Sequence, residues 1–394
     1  MPEQEAGRSV GLVLSGGGAR GAYEAGALLH VAEHLPELLP RIRVICGTSV
    51  GAVNAAFLAG KGLTREGIRD LAALWRGLEI DRVISLAPAA TLELLGVGSL
   101  RLLGRDVPSP AMGLLSVAGI SRLVTARVDW PGIRRNVRSG RFDAVAVAAT
   151  DIGVGTTHLF VTHREEITPN WSGHDPTLIP RRVVLRPHHI LASAAIPILF
   201  PPVRVAGRWY MDGGVRYNTP LSPALSLGAE SLMIVAVRAP IDASRPSPTT
   251  GFPGFGQVLG KLLDSVFLDR VAYDLDRLLR INDMVESVEL LGPEAVARLQ
   301  VELIRRGRRS YRKVATALVR PSTDLGALAA DYLGRAAKAK RLSFARVLKA
   351  LFQDDSGTTG DAASFLLFDG AYADALIEAG RRDAAAAHDS LAAL

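Results

Sequence analysis

Residues 44–59 combine a strand pattern, a glycine-flanked serine and a helix pattern: Val44-Ile45-Cys46-Gly47-Thr48-Ser49-Val50-Gly51, followed by Ala52-Val53-Asn54-Ala55-Ala56-Phe57-Leu58-Ala59. The apolar residues before Gly47 predict a buried strand, and the alanine-rich residues after Gly51 predict a helix. The G-x-S-x-G pattern between them is typical of a nucleophile elbow in this strand-turn-helix context. Glycines two residues on either side of Ser49 allow a sharp turn with the serine at positive φ. We therefore predict an elbow of Gly47, Thr48, Val50 and Gly51 that presents Ser49 as a nucleophile.

A glycine-rich segment near the N-terminus predicts an anion site. The strand-like Val10-Gly11-Leu12-Val13-Leu14 leads into Ser15-Gly16-Gly17-Gly18-Ala19-Arg20-Gly21 and then a helical segment. Backbone N–H groups at such a helix start favour negative charge. The segment also fits the dinucleotide-binding pattern, but that pattern expects an acidic residue about 20 positions later. The second strand ends instead in the Ser49 elbow, which favours an oxyanion hole formed by Gly16, Gly17, Gly18, Ala19, Arg20 and Gly21.

The eight histidines offer no evident base for Ser49. None lies in a loop signature typical of a triad partner, so we expect solvated or capping roles for them. A carboxylate is the alternative, because the aromatic segment Trp209-Tyr210-Met211 stops at Asp212-Gly213-Gly214. Asp212 would lie at the C-terminal end of a strand with small neighbours, although Asp-Gly-Gly alone usually marks a turn.

These three motifs, in this order, resemble the pattern of the patatin-like phospholipase family. The family pattern combines a G-G-G-x-R/K-G loop, a G-x-S-x-G elbow and a D-G-G/A motif, which match residues 16–21, 47–51 and 212–214. The resemblance extends to Ala192-Ser193-Ala194-Ala195-Ile196-Pro197, Phe200-Pro201-Pro202-Val203 and Asn218-Thr219-Pro220, and it covers residues 8–240.

The resemblance implies a lipid acyl hydrolase of the phospholipase A or lysophospholipase type with a Ser49–Asp212 dyad. Ser49 is then the nucleophile, and Asp212 accepts its proton and later activates the water that releases the acyl group. Partial burial of Asp212 would raise its pKa and suit it to this task. The chemistry requires no metal or organic cofactor. Two alternatives stay open: a lipid acyltransferase with the same dyad, and a lipid-binding regulatory protein with little turnover.

Two further residues adjoin the motifs. Arg20 fits two roles: its charge assists the oxyanion or meets a lipid phosphate, or its side chain braces the glycine loop. Cys46 is the single cysteine of the chain, and we expect it to be a small buried side chain in the strand. A single cysteine excludes an internal disulfide.

Length and composition fit a large globular enzyme. The chain has 394 residues, of which 48% are hydrophobic, enough for a substantial core. Alternating strand and helix patterns predict a three-layer α/β/α patatin-like fold with a mostly parallel central sheet. We predict a catalytic domain at residues 8–240, then loop and helices at 241–324 with a strand at 313–320 that returns to the main sheet. A helical C-terminal region follows at 325–394.

Residues 86–124 are rich in Leu, Ala, Gly and Val and carry few charges. In a lipid enzyme, such a segment would cap the site and touch the bilayer. Two ordinary buried helices are the alternative, and we favour this alternative over the cap.

Positive charge is concentrated toward the C-terminus. Residues 301–349 contain 13 Lys and Arg and three acidic residues, a net charge of +10, whereas the whole chain carries +7. Basic residues at 305–349 therefore predict peripheral contact with anionic membranes, with a solvated basic face as the alternative. No nucleic-acid-binding motif accompanies the charge, so no nucleic acid partner is expected.

The sequence contains no recognisable signal peptide or membrane span. Residues 1–8 are polar, and no uninterrupted apolar stretch approaches 18 residues, which a spanning helix requires. We expect a cytoplasmic protein, peripheral where it meets a membrane, with a phospholipid or another acyl lipid as substrate.

Overall fold

Strands and helices alternate along the chain in the computed structural model, which describes residues 8–86, 113, 115–171, 176–240, 258, 260–262, 271–306, 311–338 and 360–394. The strands are β1 Val10–Leu14, β2 Ile42–Thr48, β3 Ser85–Leu86, β4 Leu115–Ser116, β5 Ala144–Asp151, β6 Thr157–His163, β7 Leu178–Arg182, β8 Val203–Val205, β9 Arg208–Asp212, β10 Ser231–Val235 and β11 Ala315–Val319. The first helices are α1 Ala22–His34, α2 Leu38–Arg41, α3 Val50–Lys61, α4 Arg65–Arg76, α5 Ile80–Val83, α6 Ala118–Arg127, α7 Trp130–Arg138, α8 Pro187–Ser193 and α9 Leu221–Ser226. The later helices are α10 Val271–Glu289, α11 Pro293–Arg305, α12 Leu325–Lys338, α13 Gly360–Leu366, α14 Gly370–Ala386 and α15 His388–Ala392.

Nine of the described strands form one sheet, with the order β11-β10-β1-β2-β5-β6-β7. Strands β11, β10, β1, β2 and β5 are parallel to one another, and β6 is antiparallel to β5. Strand β9 pairs antiparallel with the end of β5, and β8 pairs with β9. The segment expected to return to the sheet forms β11 at its edge. Parallel strands bring β1, β2 and β10 to a common C-terminal edge, where the first two motifs lie.

Alternating side chains of the sheet enter two apolar cores, one on each face. Val10, Leu12 and Leu14 of β1 pack with helices α1, α3 and α4. Val13 of the same strand packs on the opposite face with α9 and with Leu278 of α10. Helices therefore cover both faces of a mostly parallel sheet, and the predicted three-layer α/β/α fold is confirmed.

Helix α14 near the C-terminus packs closely against α1. A Cβ at Gly26 would overlap the backbone of Ile377, and a Cβ at Gly380 would overlap the backbone of Tyr23. The Tyr23 hydroxyl donates to Asp383 Oδ2 at 2.9 Å. The two helix backbones thus approach each other through glycine, and α14 holds α1, which follows directly from the glycine loop.

Part of the basic segment is already paired with carboxylates. Arg305 and Arg306 contact Glu302, Arg312 contacts Glu230, and Lys313 contacts Glu286. Residues 308–309 and 340–349 of that segment lie outside the described residues, as does the loop predicted at 242–254. Contact with anionic membranes stays a prediction. Among the described helices, none combines the length and apolar character needed to cross a bilayer.

The close packing of α1 and α14 predicts the effect of adding one methyl group. Gly26→Ala should lower the free energy of unfolding by about 1–3 kcal/mol, because the methyl group has no space at the contact. Gly334→Ala on α12 is the matched control, since a Cβ there meets nothing within 4 Å, and it should stabilise by up to about 1 kcal/mol. Urea unfolding of both variants measures the difference, and equal or higher stability for Gly26→Ala would contradict the packing.

Candidate active site

Ser49 occupies the turn between β2, which ends at Thr48, and α3, which begins at Val50. Its backbone has φ 55° and ψ −124°, a conformation that residues with a side chain rarely adopt. A Cβ at Gly47 would overlap the backbone of Gly51, and a Cβ at Gly51 would overlap the carbonyl of Leu14. Both positions therefore require glycine, and the turn has the form predicted for an elbow. Strain of this kind is typical of functional sites.

Asp212 ends β9 next to this turn and is fully buried. Its Oδ1 accepts the N–H of Gly214 at 2.7 Å, and Oδ2 is buried without a fully formed hydrogen bond in the described structure. Burial raises the pKa of Asp212 to about 7, although contacts with the Ser49 hydroxyl and the Gly214 N–H lower it. A carboxyl group with this pKa can both accept and return a proton near neutral pH.

The glycine loop lies beside Ser49. Residues 18–21 form a single 3₁₀ turn before α1, and Gly18 lines the same pocket as Ser49. Gly16 donates its N–H to Asn218 Oδ1 at 3.1 Å, and Arg20 donates its N–H to the Gly17 carbonyl at 3.2 Å. Among the six residues predicted to form an oxyanion hole, Gly17, Gly18 and Ala19 lie at the start of the turn, where N–H groups have no acceptor within it.

The Arg20 side chain contacts helix α13. Its Nε donates to Ser364 Oγ at 2.8 Å, and its guanidinium lies 4.1 Å from the centre of the Phe365 ring. Arg20 is buried together with Ser364. Of the two roles that the sequence left open, these contacts fit bracing of the glycine loop.

Two residues without a role predicted from sequence connect the motifs. Ser49 donates its backbone N–H to Ser193 Oγ at 2.9 Å, and Ser193 is fully buried at the end of α8. Asn218 holds the N–H of Gly16 from the segment after the Asp motif. Both residues lie in segments that carry the family resemblance, 192–197 and 218–220. That resemblance is the sequence signal that points to them.

A buried polar network supports the loop from the side of α3. Asn54 Nδ2 donates to the Gly21 carbonyl at 3.0 Å and to Glu24 Oε2 at 2.8 Å. Trp75 Nε1 donates to Asn54 Oδ1 at 3.1 Å. Burial raises the pKa of Glu24 well above its usual range. The network links the end of the glycine loop to α3 and α4.

An apolar channel leads away from Ser49, which is itself only 1% exposed. Helices α3, α4 and α6 and the segment after α8 contribute to its walls, which include Val53, Phe57, Leu74, Trp75, Ile120, Leu123, Ile196, Phe200 and Phe368. Helix α6 begins within the segment 86–124, and of the helix residues only Val124 is buried. Residues 87–112 and 114 of that segment lie outside the described residues. The walls are almost wholly apolar, which suits the alkyl part of a substrate.

No described histidine forms a hydrogen bond with Ser49 or Asp212. His30, His158 and His189 are buried. The expectation of a solvated or capping role is therefore wrong for His158, whose Nδ1 lies 2.8 Å from the Tyr210 hydroxyl, and for His30, whose Nε2 lies 3.2 Å from His388 Nδ1. His189 does cap α8, because its Nδ1 accepts the Arg186 N–H at 3.0 Å. Burial lowers the pKa of His158, and it lowers that of His189 to about 3. Both are therefore neutral at pH 7.

Cys46 is buried in β2, as expected, and burial raises the pKa of its thiol. Within the described part of the chain, no group of three or more His, Cys, Asp or Glu side chains could hold a metal ion. Ser49 and Asp212 thus adjoin each other with a helix-start loop on one side and an apolar channel on another.

The model of the patatin-like phospholipase family matches residues 12–225, which include all three motifs. This match spans more than half of the chain, so the protein belongs to the patatin-like phospholipase family and is a serine hydrolase of carboxylic esters. The family predicted from the sequence is confirmed. No curated protein matches the sequence.

Solved structures similar to this chain include VipD from Legionella pneumophila, at 13% identity and a TM-score of 0.35 over 95% of this chain and 69% of VipD. Human GIVD cytosolic phospholipase A2 is 16% identical, with a TM-score of 0.32 over 59% of this chain and 40% of that one. ExoU in its complex with SpcU, from Pseudomonas aeruginosa, is 17% identical, with a TM-score of 0.28 over 89% and 68% of the two chains.

The hydrogen bond from Ser49 to Ser193 predicts a loss of activity when the acceptor is removed. Ser193→Ala leaves the Ser49 N–H buried without a partner, which should cost about 1–3 kcal/mol of stability and let the elbow relax. We expect kcat for ester hydrolysis to fall about tenfold while KM changes less than about twofold, because the position of the nucleophile matters most in the transition state.

Ser231→Ala is the matched control for this variant. Ser231 is also fully buried, but it lies at the start of β10, whereas Ser49 follows the C-terminal end of β2. The Ser231→Ala variant should reduce stability without lowering kcat. Unchanged kcat in folded Ser193→Ala would show that the bond has no part in positioning Ser49.

The raised pKa of Asp212 predicts a pH-dependent cost in stability. An aspartate in the unfolded chain ionises near pH 3.9, whereas folded Asp212 ionises at about 7. Between these values the folded state binds more protons than the unfolded state, so stability falls as pH rises. Asp212→Asn removes this cost and should be more stable than wild type at pH 8, by up to about 4 kcal/mol, at 1.36 kcal/mol per unit of pKa.

The same comparison at pH 4 should give nearly equal stabilities, because Asp212 is then protonated in the folded protein. Urea unfolding at the two pH values provides the measurement. Asp276→Asn, at an exposed position on α10, controls for the loss of a surface charge. If the advantage of Asp212→Asn were the same at pH 4 and pH 8, the assigned pKa would be wrong.

Proposed function

We propose that the protein is a lipid acyl hydrolase of the phospholipase A or lysophospholipase type, with Ser49 as nucleophile and Asp212 as base. One observation carries the proposal: a serine at φ 55° adjoins a buried carboxyl group whose pKa is about 7. Neither feature helps stability, and together they supply a nucleophile and a base. The apolar channel at Ser49 supports an acyl chain as part of the substrate.

In the first half of the reaction, the Asp212 carboxylate accepts the Ser49 proton while Oγ bonds to the ester carbonyl carbon. The carbonyl oxygen becomes negatively charged, and N–H groups of Gly17, Gly18 and Ala19 are suited to donate to it. When the tetrahedral intermediate collapses, the bond to the alcohol oxygen breaks. That oxygen takes the proton from Asp212 and leaves as the alcohol, so Ser49 carries the acyl group.

In the second half, a water molecule replaces the alcohol. Asp212 accepts a proton from the water while the water oxygen bonds to the acyl carbon. The second tetrahedral intermediate collapses with cleavage of the bond to Oγ, which regains the proton from Asp212. The products are a fatty acid and free enzyme. One carboxyl group thus serves as base and acid in turn, for which a pKa near neutral is well matched.

Fatty-acid release from mixed phospholipid vesicles tests the proposal. Wild type should release fatty acid, Ser49→Ala should be slower on the order of 10⁶-fold, and Asp212→Asn should be slower by about 10²- to 10⁴-fold. Asp151→Asn is the matched control for Asp212. Its carboxylate is equally buried at the end of β5 but pairs with Arg208 at 2.8 Å, so activity should persist.

Circular dichroism of each variant verifies the fold. If Ser49→Ala released as much fatty acid as wild type, the proposed mechanism would be wrong. Addition of glycerol or another acceptor alcohol to the same assay separates hydrolysis from acyl transfer, because a transferase would yield a new ester in place of free fatty acid.

A further inference from the structure

Three apolar side chains are exposed where β5 turns into β6 and where β9 begins. Ile152 is 41% exposed, Val154 62% and Trp209 51%. The Ile152 N–H donates to the Trp209 carbonyl at 2.9 Å, so these two residues are neighbours. Asp151 accepts the Val154 N–H at 3.4 Å and pairs with Arg208 at 2.8 Å, which ties the turn to β9. We call Ile152, Val154 and Trp209 the edge patch.

Two arginine side chains border the edge patch. The Arg204 guanidinium lies 5.9 Å from the centre of the Trp209 ring. A Cβ on Gly155, in the turn that carries Val154, would lie 3.8 Å from an Nη atom of Arg216. Neither arginine forms an ion pair with a carboxylate of the described residues. The edge patch thus combines exposed apolar surface with two positive charges.

The edge patch lies at the same edge of the sheet as Ser49. Strands β2 and β5 are parallel, so the turn after β5 and the elbow after β2 belong to a common C-terminal edge. Trp209 precedes Asp212 by three residues on β9, which corresponds to about 10 Å along a strand. A surface that covers the edge patch therefore lies close to Ser49 and Asp212.

The basic segment 305–313 lies at the other end of the strands. Its Arg312 contacts Glu230 at 3.0 Å, directly before β10 begins at Ser231. Strand β10 is parallel to β1 and β2, so this contact is at the N-terminal edge of the sheet. A membrane held by Arg312 and its neighbours would thus lie on the far side of the sheet from Ser49.

We propose that the edge patch, together with Arg204 and Arg216, docks the protein on a bilayer that contains anionic lipids. The inference rests on the proposed function, because docking in this orientation brings Ser49 to the lipid surface. Tryptophan is enriched at the boundary between membrane and water, and exposed apolar patches mark interaction sites. Arginines without an acidic partner are attracted to anionic headgroups. Ile152 and Val154 add apolar area that enters the boundary between headgroups and acyl chains.

Flotation of full-length Ser49→Ala with phosphatidylcholine–phosphatidylglycerol vesicles measures docking without turnover. The double change Ile152→Ser with Val154→Ser should weaken binding by about tenfold or more, because apolar area returns to water. Arg204→Gln and Arg216→Gln should each weaken binding about fivefold. The matched control is Val301→Ser with Ile304→Ser, which changes the same residue types at exposed positions of α11, next to the basic segment. This control should bind as Ser49→Ala does.

Tryptophan fluorescence identifies the side chain that meets the bilayer. Lipids brominated on their acyl chains quench a tryptophan that contacts them. In Ser49→Ala, adding Trp209→Phe should remove most of the quenching by such vesicles. Adding Trp130→Phe should retain it, since this partly exposed tryptophan lies on α7.

The inference is wrong if the α11 control loses as much vesicle binding as the change at Ile152 and Val154. It is also wrong if Trp209→Phe leaves the quenching unchanged. A third contradiction would be loss of self-association with unchanged vesicle binding, because the edge patch would then contact a second copy of the chain.

Two esters separate docking from chemistry in the protein with Ser49 intact. The change at Ile152 and Val154 should lower hydrolysis of vesicle phospholipid about tenfold and leave hydrolysis of monomeric p-nitrophenyl butyrate unchanged, because only the first substrate requires docking. Equal loss on both esters would contradict the inference. Absence of hydrolysis of either ester by wild type would contradict the proposed function, and flotation would still decide whether the edge patch docks on a bilayer.

Discussion

The burial of a single carboxyl group, that of Asp212, is the constraint on which the site depends. Removal of this group from water raises its pKa to about 7, and only one of its oxygens has a full hydrogen-bond partner in the described structure. A folded protein gains no stability from such an arrangement. The surrounding sheet must hold it in place, through the pairing of β9 with β5 and the bond from Thr150 to the Asp212 carbonyl. In the proposed mechanism, this burial gives Asp212 the basicity to accept the Ser49 proton.

The remaining contacts keep the parts of the site in a fixed relation. Ser193 holds the backbone of Ser49, and Asn218 holds the start of the glycine loop. Arg20 ties the same loop to α13, and Asn54 ties its end to α3. These bonds join segments that lie far apart in sequence, so the geometry of the proposed site depends on the whole fold, including helices near the C-terminus. Positions fixed in this way reduce the reorganisation that a reaction requires.

The elbow at Ser49 and the strands around it could be predicted from sequence, because a tight turn requires particular residues at particular positions. The glycines around Ser49 and the change from strand to helix pattern there predict the elbow and part of the sheet. Long-range contacts leave no such trace: Arg20 meets Ser364 across more than 300 positions. The burial of His158 is not predictable from sequence, because a histidine in a strand gives no sign of which face of the sheet it occupies. Likewise, the net charge of the segment 305–313 does not show that its basic side chains form ion pairs with Glu230, Glu286 and Glu302.

Infrared titration of the Asp212 carboxyl group measures the pKa on which its proposed role as base depends. The difference spectrum between wild type and Asp212→Asn isolates the C=O stretch of one protonated carboxyl group. We predict that this band is present in wild type at pH 5 and disappears with a midpoint near pH 7. A midpoint at the ordinary value for aspartate, about 3.9, would contradict the account, because Asp212 would then lack the basicity to accept the Ser49 proton.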